Sequence, residues 1–130
     1  MQKNLILIIA REFASLLATP TFVADAEGNL VFYNEAAEDV LGRTFSEAGA
    51  MPAGQWAELF QIHDLEGEPM PLERQAAGIA LLERRPAHGP LRITGLDGVP
   101  RELEVTAFPL FAHTDEFVGM IAIFWQRGQG

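Results

Sequence analysis

The chemistry open to this chain is bounded first by what it lacks. It has 130 residues and no Cys. Disulfides, thiolate nucleophiles, thiolate zinc sites and iron–sulfur clusters are therefore excluded. The three His residues are His63, His88 and His113. Each stands beside turn-forming residues, and none is paired with a second ligand at metal spacing. Asp64, Glu66 and Glu68 alternate at a spacing that a hard cation could use. Gly67 and Pro69 make that stretch an ordinary turn, however, and it carries no EF-hand pattern. A solvated loop is the expectation. The other carboxylates fall in turns, on helix faces or at outward strand positions, as Glu102 and Glu104 do. None is isolated in an apolar stretch that would raise its pKa. There is no Gly-x-Ser-x-Gly elbow, no phosphate-binding Gly loop and no zinc-protease motif. The sequence thus predicts no catalytic residue, no metal site and no enzyme. Arg74 and Arg92 could hold a ligand carboxylate, but surface positions are the simpler expectation for both.

Charge narrows the partners. Eighteen Asp and Glu stand against nine Lys and Arg, a net charge of −9. Such a surface repels nucleic acid and anionic membrane. The longest N-terminal apolar run, Leu5 to Ala10, stops at Arg11-Glu12, well short of the roughly 20 residues a bilayer span needs. No signal-peptide cleavage pattern follows it. A cytoplasmic protein is expected. At 48% hydrophobic residues, the chain can bury a core as one domain.

Several elements must position whatever site exists. Residues 3–18 read as a helix, with Leu5, Ile8, Ile9, Phe13, Leu16 and Leu17 on one stripe. Ile6, Leu7, Ala10 and Ala14 widen the stripe, and Thr19-Pro20 ends it. Thr21–Asp25 and Leu30–Asn34 flank a tight turn and predict a hairpin. Asn34 stands at the N-cap of a helix that closes at Gly42. A short helix is expected around 54–62. A longer one runs from about Pro71 to Arg85, with Leu72, Ala76, Ile79 and Leu82 inward. Leu91–Thr94 and Arg101–Ala107 alternate as strands, the latter with Leu103, Val105 and Ala107 inward. Phe117–Trp125 is apolar without a break, so both faces of that strand should be covered. The prediction is α+β: a five-stranded antiparallel sheet, mid-chain helices on one face and an N-terminal amphipathic helix. Residues 1–19 form the capping or dimerisation helix, 20–126 the domain and 127–130 a frayed tail.

In this order the residues resemble a PAS domain, over 20–125. The resemblance lies in Phe22-Val23-Ala24-Asp25 with Gly28, then Tyr33-Asn34 and the helix closing on Leu41-Gly42. It continues through Asp64 to Pro71, similar to the D-x-x-G-x-P-x-P stretch of many bacterial members. Asp97-Gly98, Val105 to Leu110, Gly119 and the apolar last strand complete it. The resemblance implies a sensory or interaction module that holds a cofactor or small molecule between sheet and helices. It also implies dimerisation through the helix before the first strand. Many members run on from the last strand through an Asp-Ile-Thr ending into an output module. Here Trp125-Gln126-Arg127-Gly128 stands there, so the expectation is output through a separate signalling protein, or a chain that is a piece of a longer one.

The absent Cys excludes the flavin photocycle of LOV-type members, and no ligand identity is legible. Haem would need an axial His. The long helix has none, and His63 with Trp125 is the remaining pairing. An apolar ligand pocket is the stronger expectation, formed by Trp56, Phe60, Ile79, Leu82, Ile93, Val105, Ile121 and Ile123. A filled core with no cavity is its alternative. For a homodimer, the expected interface is Leu5, Ile6, Ile9 and Phe13, with the outer strand face of Val118, Met120 and Phe124. A pure interaction module without ligand is the second function that fits.

Overall fold

A computed structural model describes residues 2–52, 55–113 and 115–128. Helix α1 (Gln2–Ser15) leads into β1 (Thr21–Asp25) and β2 (Leu30–Tyr33). Three short helices follow: α2 (Glu35–Leu41), α3 (Phe45–Ala48) and α4 (Gln55–Leu59). A 3₁₀ turn, Leu72–Arg74, precedes α5 (Ala76–Leu82). Three long strands finish the fold: β3 (Ala87–Thr94), β4 (Pro100–Ala112) and β5 (Glu116–Gln126). All five strands form one antiparallel sheet in the order β2-β1-β5-β4-β3. No described helix is long and apolar enough to cross a membrane.

The sheet has two apolar faces. The inner face carries Ala24, Leu91, Ile93, Leu103, Val105, Ala107, Met120, Ala122 and Phe124 and packs against the mid-chain helices. The outer face carries Val23, Ile121 and Ile123, with Phe108 and Leu110, and packs against Ala10, Ala14 and Leu7 of α1. Alanine lets α1 lie close to the strands, so both faces of β5 are covered.

One residue joins these parts. Asn34 is 1% exposed and caps α2, its Oδ1 accepting from Ala37 N at 3.0 Å. The same oxygen accepts from Thr21 N at 3.0 Å. Its Nδ2 donates to the carbonyls of Ala14 (2.9 Å) and Thr19 (3.0 Å). The expected cap is present, with a second role in docking α1. That role also explains why α1 ends at Ser15 rather than at 18. The Ala14 carbonyl accepts from both Leu17 N and Asn34 Nδ2 in a closing turn, and Pro20 follows.

Two further elements differ from expectation. The long helix of 71–85 is broken at Gln75, which is extended (φ −77°, ψ 146°). A 3₁₀ turn and a seven-residue helix replace it, and Gly78 permits the fold-back. A Cβ there would collide with the Leu72 carbonyl oxygen. Arg127 is also no loose end. Its N–H donates to Glu102 O (2.9 Å) and its Nε to Glu104 Oε2 (2.8 Å). Residues 129–130 of the expected frayed tail lie outside the described residues.

Candidate functional site

A cavity of about 50 Å³ lies between the inner face of the sheet and the helices. Trp56 and Phe60 come from α4 and its C-terminal turn, Ile93 from β3 and Val105 from β4. These four are where the sequence put them. Leu91, Leu103, Leu30, Leu41, Ile62 and Ala77 extend the apolar wall. Phe22 and Phe124 complete it, their rings 6.2 Å apart. Trp56 packs on Phe22 at 5.4 Å and donates its indole N–H to Gly28 O at 2.8 Å. Its orientation is thereby held. Gln75 is the one lining residue whose side chain is polar throughout its head group.

Four expected pocket residues lie elsewhere. Leu82 is 57% exposed and Ile79 is only half-buried. The break at Gln75 resets the helical phase, so Ala76, Ala77, Ala80 and Leu81 face inward instead. Ile121 and Ile123 lie on the outer face under α1. Conversely, Met120 and Phe124, expected outside, lie on the inner face. A bulge causes this exchange. Leu110 pairs with Gly119 but Phe111 pairs with Phe117, so Val118 is an extra residue. Phe117 and Met120 then both point inward, and the parity of everything beyond is reversed. Gly119 belongs to the same bulge, since a Cβ there would collide with the Ala24 carbonyl oxygen. Val118 is buried and presents no outer surface.

The expected interface on α1 divides the other way. Leu5, Ile8, Ile9 and Phe13 are each more than half exposed, and Leu16 more so. Ile6 is half-buried. The small residues Ala10 and Ala14 face the chain's own sheet.

The polar candidates stay outside the cavity. His63 pairs with Arg92 through backbone bonds of 2.8 Å in each direction. Its Nδ1 lies 2.6 Å from the Gln61 carbonyl oxygen. Trp125 is on the outer face of β5 against the ring of His88, centroids 5.8 Å apart. Neither member of the His63–Trp125 pair lines the cavity, so the haem arrangement is not assembled there. Asp64 closes an Asx turn, its Oδ1 accepting from Glu66 N and Glu68 N at 3.0 Å each. These backbone bonds, Glu68 first, hold its carboxyl below the ordinary Asp value, with Arg74 adding to them. Among the described residues no three His, Asp or Glu cluster as a metal site would require. Arg74 reaches Asp64 at 3.8 Å, and Arg92 bonds Glu102 at 2.9 Å and Leu65 O at 3.1 Å.

A family model for the PAS domain matches residues 18–125. The chain belongs to the PAS domain family. Solved structures agree on the fold. A Rhodobacter sphaeroides LOV protein is 15% identical, with a TM-score of 0.74 over 98% of this chain and 69% of that one. The PAS domain of Bordetella pertussis BvgS is 20% identical, with a TM-score of 0.60 over 92% and 84%. The PAS domain of nitrogen regulation protein NR(II) from Vibrio parahaemolyticus is 16% identical, with a TM-score of 0.62 over 91% and 97%. No individual curated protein matches. The fold is one that sensory signalling domains use.

Phe22, Phe124 and Gln75 line the cavity of this PAS domain without being among the residues expected there. The pattern of β1 could have revealed Phe22, because Phe22 and Ala24 alternate with Val23. Phe124 was hidden by the bulge. Nothing local marks Gln75, a polar residue in a polar stretch. Tyr33 is buried beside the cavity helices, its hydroxyl donating to Arg43 O at 2.8 Å. Burial first, then Glu38, pushes it up to about 12. It therefore stays neutral and serves as a donor, not as an acid.

Proposed function

We propose that this PAS domain is a homodimeric sensor that takes a small, mainly apolar ligand into the cavity and reports it through α1. One observation carries this reading: β1 and β5 line the cavity on one face and carry α1 on the other. Phe22 borders the cavity and its neighbour Val23 touches the α1 cluster. Phe124 and Ile123 repeat the arrangement on β5. A shift of either strand is felt at α1 across one sheet thickness. A ligand that binds better with one α1 packing favours that packing by its difference in affinity.

The dimer surface is the exposed stripe Leu5, Ile8, Ile9, Phe13 and Leu16, on the side of α1 away from its own sheet. Five large apolar side chains on one helical stripe fit an isologous contact with a second copy. Output then passes through α1 to whatever that helix contacts, and no catalysis is assigned to the domain.

The cavity size supports a second reading. At about 50 Å³ it falls far below the roughly 300–1,000 Å³ of a drug-sized ligand site. A dimerisation module with a nearly filled core is the reading this favours. Light scattering and native mass spectrometry on one preparation test both. The sensor reading expects a dimer that becomes monomeric in Ile9→Glu and Phe13→Glu with unchanged melting temperature. A wild-type monomer at working concentrations would sink the dimer in either reading.

A further inference from the structure

We infer that the side-chain oxygen of Gln75 is the polar anchor of the cavity, so the ligand must bring a hydrogen-bond donor on a small apolar body. This rests on the cavity being a ligand site. Gln75 is 1% exposed and borders the cavity. Its Nε2 donates to the Met70 carbonyl oxygen at 2.8 Å. A carbonyl oxygen can only accept, so this bond fixes the amide with its NH₂ end at Met70. The other end, Oε1, receives no hydrogen bond from any described residue, and Gln75 makes no side-chain cap to α5. Every fully enclosed side-chain polar atom among the described residues does have a partner. Oε1 therefore keeps a small patch of accessible surface, and Gln75 is among the residues that line the cavity. The one other polar group in the wall, the Trp56 N–H, is already spent on Gly28 O.

A leucine or methionine would fill this position in a purely structural core. A buried amide with one unmet acceptor is costly there, because the desolvated oxygen gains nothing in return. A ligand hydroxyl or N–H would repay that cost. Ligands that only accept would meet the oxygen lone pairs and be disfavoured. The small volume limits the class to short alcohols and molecules of similar size, since an apolar cavity of about 150 Å³ is what holds benzene.

The test compares 2-propanol with acetone, which share a heavy-atom skeleton but differ in the ability to donate. Both are titrated into the full chain and followed by amide and side-chain resonances of the cavity residues. The alcohol should bind about fivefold more tightly than the ketone. It alone should shift the Gln75 side-chain amide. Gln75→Leu should erase the preference while leaving weak binding of both. Equal affinities for the wild-type protein, or a preference that survives in Gln75→Leu, would overturn the anchor while leaving the cavity as a site. Titration without shifts at any cavity residue would overturn the ligand site itself, and the anchor with it. The wild-type comparison decides even if the variant does not fold.

Discussion

The two faces of the sheet solve the same burial problem in opposite ways. On the inner face the rings of Trp56 and Phe60 from the helical segment meet Phe22 and Phe124 of the sheet, while α5 packs through the small Ala76, Ala77 and Ala80. The bulky rings leave a gap between them. The outer face meets α1 through Ala10 and Ala14, with Leu7 partly buried beside them, while Leu5, Ile8, Ile9 and Phe13 face solvent. Where large rings meet across the inner face a space remains, whereas the alanines of α1 make a close dock and leave that helix an exposed apolar back. One domain thus holds an enclosed apolar space on one side and an uncovered apolar surface on the other.

The sharpest test of that contrast pairs neighbours on β5. Phe124→Ala removes an inner-face ring that is 2% exposed and should cost about 3–5 kcal/mol in chemical denaturation. Ile123→Ala, on the less buried outer face, should cost clearly less. Equal losses would mean that the faces do not differ as described. Overpacking the close dock comes next. Ala14→Leu places a branched side chain where Ala14 is fully buried against the strands, at a cost of about 1–3 kcal/mol. Faster amide exchange should appear in α1 and spare β3. The smallest effect belongs to Leu82→Ser, which should stay within about 0.5 kcal/mol of wild type because Leu82 is 57% exposed. A large loss there would restore Leu82 to the core.

Where the pattern of the chain had one apolar face per element, it was readable. Leu103, Val105 and Ala107 alternate with charged or polar neighbours, and all three face inward. The hairpin, the Asn34 cap and the order of elements follow from turn residues that have few other uses. β5 was legible as doubly covered but not in phase. A strand apolar on both sides carries no alternation to read, and the extra residue at Val118 inverts the parity counted from Phe117. Pocket and interface lists exchanged members for this reason alone. The break at Gln75 was illegible for a different reason. A helix through 72–85 satisfies local propensity, and the broken form is permitted by the close approach of Gly78 to the Leu72 carbonyl and held by the Gln75 side chain on Met70 O.

The bonds of Asn34 also bear on how the molecule comes apart. Its amide joins the end of α1, the start of β1 and the first turn of α2. The cap to Ala37 N is local, but the bonds to Ala14 O, Thr19 O and Thr21 N span 13 to 20 residues, and losing them would leave a buried amide short of partners. Detachment of α1 from its C-terminal end would break the Ala14 and Thr19 bonds together, because one side-chain amide donates both. The same amide therefore ties the docking of α1 to the two strands and the helix that border it, so that loosening any one of them is felt by the others.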